Sequence, residues 1–343
     1  MNKQKITKGQ FFTKAQLWLK PQVKDFIESS DRAVAYDPFA GAGDLINCSD
    51  LYGIKNRLGL DIDDSLGWEH NDSLLRVPRI DNSIIITNPP YLSNYSASRK
   101  KVMEDVKQYF DASEYDDLYL IALDRLLQSS DYVVAIVPET FINSNYLQKN
   151  RLSQITILEE NPFEDTETPV CVACFDNAIK PLEDIVIYKN NDLITTLAEI
   201  EALRLQPKNN IKIIFNKSDA WLGLRAVDTT NPAKRIKFDY KENFNYDWSK
   251  GIKVSSRLLT LININVPDND RQSFINESNS ILEDVRLKTS DIILSPFKGN
   301  MKNGVRRRRL DYYTARAILE IAYIKIYGEN DVSDQPLLFS TFG

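Results

Sequence analysis

The sequence predicts an α/β fold: a mostly parallel sheet with one antiparallel edge strand in residues 1–190, followed by an α+β region over 191–343. Three observations carry this expectation. Short apolar runs of strand length alternate with amphipathic or polar stretches through the first half, as strands joined by crossover helices require. The first of these runs, Ala33–Tyr36, leads into Asp37-Pro38-Phe39-Ala40-Gly41-Ala42-Gly43, a glycine-bearing turn that lets backbone approach a ligand closely. The second run, Arg57–Asp61, ends in an acid roughly twenty residues beyond that turn, the spacing of a carboxylate held at the end of a second parallel strand to bind ribose hydroxyls.

The remaining elements follow in order. Asn71-Asp72-Ser73 brings a third acid, placed where an adenine amine can be read. Ser83–Thr87 is a buried strand, and it runs straight into Asn88-Pro89-Pro90-Tyr91. About 25 polar residues come next, among them Arg99, Lys100 and Lys101, and read as a functional loop beside that string. Leu118, Ile121, Leu123 and Leu126–Leu127 mark an amphipathic helix, and Tyr132–Pro138, Leu152–Leu158 and Val170–Phe175 read as further strands. The domain boundary falls near Lys189–Asp192, where polar residues follow the last strand. Beyond it, Ile211–Phe215, Val254–Ile264 and Asp291–Leu294 look strand-like, and Tyr312–Tyr327 looks helical with Ile318 and Leu319 on its apolar stripe.

Asn88-Pro89-Pro90-Tyr91 is the string with the most chemistry in it. A planar amine conjugated to an aromatic ring is a poor nucleophile because its lone pair is delocalised. The Asn side-chain carbonyl and the following Pro backbone carbonyl can accept its two N–H groups and favour a pyramidal nitrogen. The two prolines fix φ and remove competing donors, and Tyr91 offers a flat face for a planar substrate. A plain turn after a buried strand is the competing explanation. The ordered set of glycine turn, strand-end acid, Asp72 and this string weighs against it.

With those residues in that order, residues 1–175 or thereabouts resemble the gamma-class S-adenosylmethionine-dependent, adenine-specific DNA methyltransferases. The resemblance implies a Rossmann-like class I methyltransferase domain over 1–190 and a target-recognition domain over 191–343, with S-adenosylmethionine as cofactor and duplex DNA between the two. Gly9–Thr13 matches the family segment ahead of the glycine turn, which implies that Phe12 and Thr13 meet the methionine part of the cofactor. Asp37, Pro38, Phe39 and Gly41 are implied along the methionine side, Asp61 and Ile62 at ribose and adenine, and Asp72 with Ser73 at the cofactor adenine, with Asn88 adjoining. Phe39 departs from the small residue that family members often carry there. Asn88, Pro89, Pro90 and Tyr91 are implied as catalytic. Tyr91 and Phe163 are implied to cover the two faces of an adenine rotated out of the duplex; for Phe163, a core position at a loop base is the other reading. Neither a metal nor a covalent enzyme intermediate is required, and a separate restriction endonuclease is the protein partner such a chain can have. Three alternatives stay open: methylation of a protein glutamine or an RNA base amine by the same string, methylation of a cytosine amine, and a DNA-binding module without catalysis.

Composition agrees with an intracellular enzyme. The 343 residues, 43% hydrophobic and 27% charged, suffice for a sizeable core and two domains. The polar, basic N-terminus lacks a signal-peptide stretch and no run spans a membrane, so the chain reads as cytoplasmic. Cys48, Cys171 and Cys174 make no disulfide framework, Cys171 and Cys174 would point to opposite faces of one strand, and His70 is the only histidine, so no metal site is expected. The net charge of −5 hides an asymmetry. Residues 1–190 hold 20 Lys+Arg against 29 Asp+Glu, and 191–343 hold 23 against 19. The basic half contains Arg306-Arg307-Arg308-Arg309, preceded by Lys298 and Lys302 around Gly299 and Gly304, which suits contact with phosphates and base edges. A solvated basic run is the bland alternative.

Overall fold

The structure is a computed structural model that describes residues 15–162, 167–252 and 258–329. Two compact units divide it, Met1–Glu199 and Ile200–Gly343. The first is built on a nine-stranded sheet. Its strands are Val34–Asp37 (β1), Asn56–Asp61 (β2), Glu69–His70 (β3), Ser83–Thr87 (β4), Val133–Pro138 (β5), Leu152–Ile157 (β6), Val170–Phe175 (β7), Val186–Lys189 (β8) and Asp192–Thr196 (β9). Their spatial order is β3-β2-β1-β4-β5-β7-β6-β8-β9. Strands β4, β5 and β7 are buried along their whole length, which is why they read as unbroken apolar runs rather than alternating ones.

The sheet is mixed and mostly parallel, and besides an antiparallel edge strand it holds an interior reversed strand that the sequence did not suggest. β7 lies inside the sheet, antiparallel to β5 on one side and to β6 on the other. The chain turns back after β6 and slots between its two predecessors, an arrangement that apolar periodicity does not encode. A second reversed strand, β9, pairs with β8 and ends the sheet. The first compact unit runs to Glu199 and so includes β9. The polar residues that suggested a linker form the β8–β9 turn, with Asn190 in the left-handed region at φ 52°.

The polar stretch after Tyr91 is likewise not a loop but two helices, Asn94–Lys100 and Met103–Asp111. Ser93 caps the first by accepting from Ser96 N, and Lys101 closes it in the left-handed region. Apolar clusters pack the described part of this unit. One joins Trp18, Ile27, Ile84, Val134 and Val172; another joins Leu74, Leu92, Tyr109 and Phe110.

The second unit has an antiparallel sheet of Ile213–Phe215 (β10), Leu222–Arg225 (β11), Lys237–Tyr240 (β12) and Leu259–Ile264 (β13), in the order β10-β13-β11-β12. The helices Arg271–Lys288 and Tyr312–Tyr327 share its core with Phe238, Phe274, Ile318 and Leu319. A separate hairpin pairs Ser295–Asn300 (β14) with Arg306–Arg309 (β15). Asp291–Leu294, expected as a strand, is a turn. Ser290 and Asp291 both take positive φ, and Ile292 N and Leu294 N donate back to Thr289 O and Asp291 O.

Candidate active site

In an open parallel sheet, ligands bind beyond the carboxyl ends of the strands, where the strand order reverses. Here that point lies between β1 and β4. Asp37 ends β1 and Thr87 ends β4, and the Thr87 hydroxyl donates to Asp37 Oδ1 at 2.6 Å, with Phe39 N donating to the same oxygen at 3.0 Å. Asp37 is 1% exposed. Burial pushes its carboxyl up to about 7, with a further push from the Asp61 charge, against the opposing pull of the Thr87 and Phe39 hydrogen bonds.

The glycine turn follows. Gly41 and Gly43 adopt φ 54° and 84°, which only glycine takes without strain. Asp61, buried at the end of β2, accepts from Gly41 N at 2.8 Å and from Asp63 N at 2.9 Å, so the strand-end acid also pins the turn. Trp68, to which no sequence motif points, donates its indole N–H to Gly41 O at 2.9 Å. A Cβ on Gly43 or Gly59 would stand 2.8 or 2.6 Å from its ring. Asp72 Oδ2 accepts from the hydroxyl of Tyr109 at 2.7 Å, and Ser73 is buried with its hydroxyl accepting from Asn71. Ile62, next to Asp61, is 42% exposed. The large Phe39 side chain is absorbed by packing against the cluster around Leu74 and Tyr109, and Pro38 is buried.

Asn88-Pro89-Pro90-Tyr91 continues directly from β4. Pro89 is buried and the other three residues are half-buried. The Tyr91 ring packs on the core cluster and stands edge-on to Tyr119, with centroids 6.4 Å apart. Its hydroxyl lies 2.5 Å from Asn88 Oδ1 and 2.7 Å from Ile136 O, and burial raises the phenol well above its ordinary value. The structure thus brings Asp37, Gly41, Asp61 and Asn88 to one end of one sheet. Phe12, Thr13 and Phe163 lie outside the described residues.

Arg99, Lys100 and Lys101 are exposed at the C-terminal end of the helix Asn94–Lys100, where their charge suits the helix dipole. In the second unit the four arginines of β15 do not form one surface, which corrects the expectation from the sequence. Arg308 is 3% exposed; its backbone N–H donates to Asp228 Oδ2 and its guanidinium to Leu294 O. Arg307 lies over the Phe297 ring at 4.8 Å and donates to Asp228 O. Side chains alternate across a strand, so a run of four cannot share a face. Lys298 and Lys302 are exposed on the same hairpin.

Cys171 and Cys174 are both buried in β7, and only Cys174 joins the cluster that includes Val172. Exposed His70 pairs with Asp64. Among the described residues no group of three or more His, Cys, Asp or Glu is arranged to hold a metal, and no helix is long and apolar enough to cross a membrane.

Several known proteins are similar to this chain. A type I restriction-modification methyltransferase subunit from Streptococcus thermophilus is similar at 18% identity over 57% of this chain and 52% of its own, with a TM-score of 0.35. The chain thus spans about half the length of that subunit. The type I restriction enzyme EcoKI M protein aligns at 11% identity over 91% of this chain and 70% of its own, also at 0.35. A putative RNA methyltransferase from Pyrococcus horikoshii aligns at 18% identity over 51% and 90%, at 0.33. Among curated proteins none matches. The Eco57I restriction-modification methylase family model matches residues 55–166, the stretch that holds Asp61, Asp72 and Asn88-Pro89-Pro90-Tyr91.

Proposed function

We propose that this chain transfers a methyl group from S-adenosylmethionine to the exocyclic amine of an adenine in DNA, in a restriction-modification setting. The observation that carries the reading is the position of Asn88-Pro89-Pro90-Tyr91: it extends β4 at the point where strand order reverses, next to buried Asp37. The cofactor, when bound, supplies an electrophilic methyl on a sulfonium. The residues present suit it. Asp37 is a buried carboxyl raised to about 7 by burial and by the Asp61 charge, so a cationic group brought to it relieves an existing cost. Each Asp61 oxygen accepts one backbone N–H and keeps a lone pair for a ribose hydroxyl. Exposed Ile62 offers apolar surface to an adenine edge.

In this reading Asn88 Oδ1 and the carbonyl of Pro89 accept the two N–H groups of the target amine and orient its lone pair, so transfer proceeds by positioning. A paired base cannot reach them, so the adenine leaves the stack, with Tyr91 against one of its faces. The first unit performs the chemistry. The second reads the DNA sequence, with the exposed Lys298 and Lys302 near phosphates. A separate restriction endonuclease acting on the same sequence is the partner this reading implies. The test supplies methyl-labelled S-adenosylmethionine with duplex DNA, RNA and protein in parallel. Label on adenine in DNA is expected; label on cytosine, RNA or a glutamine amide alone overturns the reading.

A further inference from the structure

The register of β4 and β5 pairs Ile85 with Val133 and Thr87 with Ala135, and Ile85 N donates to Tyr132 O at 3.0 Å. Parallel ladders advance two residues at a time, so Thr87 comes next with Val134 O as its acceptor, and residue 89 follows with Ile136 O. Residue 89 is proline and has no N–H. Ile136 is buried, and a buried carbonyl needs a donor. The Tyr91 hydroxyl stands at 2.7 Å from that carbonyl and takes the place of the missing amide.

A phenol has one proton, yet a second oxygen, Asn88 Oδ1, lies 2.5 Å from the same hydroxyl. One proton points well at only one of two acceptors, and sharing it weakens both bonds. The conflict disappears when the Asn88 amide is turned over, an exchange of O and N that leaves its shape unchanged. Nδ2–H then donates to the Tyr91 oxygen, the Tyr91 proton goes to Ile136 O, and Asn88 Oδ1 takes the side away from Tyr91.

We propose that Tyr91 is a positioning residue: its hydroxyl, anchored on the ladder position that Pro89 leaves open, fixes the Asn88 amide with the carbonyl toward the substrate amine. The inference rests on the reading of Asn88 as the group that holds that amine. It gives the four-residue string an internal logic. Pro89 opens the ladder, Tyr91 fills it, and the filled position sets the polarity of Asn88. The ring of Tyr91 and its hydroxyl then have separate tasks.

Two measurements on the full-length chain test this. With asparagine labelled by nitrogen-15, and the Asn88 side-chain signal assigned by its loss in Asn88→Ala, one Asn88 amide proton is expected to exchange about tenfold more slowly than in a free side chain, a hydrogen bond's worth of protection. Tyr91→Phe is expected to abolish that protection. An Asn88 amide unprotected in the wild-type chain overturns the proposal whether or not methyl transfer occurs. In single turnover on DNA, Tyr91→Phe keeps the ring, so cofactor and DNA affinity are expected to hold while the transfer rate falls about tenfold or more. A wild-type rate in folded Tyr91→Phe also overturns it. A wild-type chain that binds cofactor but transfers nothing to DNA instead counts against the function proposed above, and the exchange measurement still decides the role of Tyr91.

Discussion

Asp37 sets the pH behaviour of the site. Its folded value, about 7, stands above the ordinary 3.8, chiefly through burial. A group raised in this way favours the folded chain below its ordinary value, and that contribution disappears as pH rises from about 4 through 7. A cationic ligand needs the ionised form. S-adenosylmethionine affinity is therefore expected to weaken by up to about tenfold per pH unit below 7 and to level off above it. Calorimetry across pH 5.5–8 checks this, and Asp37→Asn is expected to flatten the profile. Asn88→Ala is expected to leave cofactor binding intact while the rate of transfer drops on the order of a hundred- to a thousandfold, since its carbonyl acts on the amine as charge develops. A near wild-type single-turnover rate removes Asn88 from the mechanism. At this scale the strand-end acids and Asn88-Pro89-Pro90-Tyr91 were legible, because each follows a readable strand. Thr87, Trp68 and Tyr109 were not. Their partners Asp37, Gly41 and Asp72 are brought to them by the fold, not by spacing.

The β14–β15 hairpin shows what elements add. Gly304 N donates to Met301 O and Met301 N to Val305 O, so the Gly/Asn-rich stretch is an ordered turn that carries Lys298 and Lys302 outward. Lys298→Ala with Lys302→Ala is expected to weaken DNA binding at unchanged cofactor affinity. The slope of log affinity against log salt is expected to shrink by about 0.9 for each phosphate that is no longer neutralised. Arg308→Ala is expected to act differently, lowering the melting temperature of the second unit. If the lysine variants bind DNA as the wild type does, the hairpin is a solvated basic run. Period-two alternation in β15 was available in the sequence and already separates Arg306 and Arg308 from Arg307 and Arg309; four identical residues hide that Arg308 is the one that is buried. The unbroken apolar run of β7 fits an inner strand, but its placement between β5 and β6 was beyond reach, because apolarity does not encode which strands pair or in which direction.

For the whole molecule, each compact unit has its own core, and the acidic first half and basic second half were visible in the charge count alone. The second unit contains a buried pair in which Arg286 donates to both oxygens of Asp228 at 3.1 and 3.0 Å, with Asp291 also accepting from Arg286. Removing Asp228 leaves Arg286 with Asp291 alone and takes the acceptor from Ile236 N and Arg308 N, so Asp228→Ala is expected to destabilise that unit by about 3 kcal/mol. Cofactor binding by the first unit is expected to persist, and its disappearance together with the second unit's melting would contradict their independence. The division of labour converges on one outcome in a cell. Methylation-sensitive sequencing of DNA from a host expressing the chain is expected to show methylated adenine in one short sequence context, absent when Asn88→Ala is expressed instead. Unmodified adenine throughout, with the wild-type chain folded and S-adenosylmethionine bound, would contradict the account.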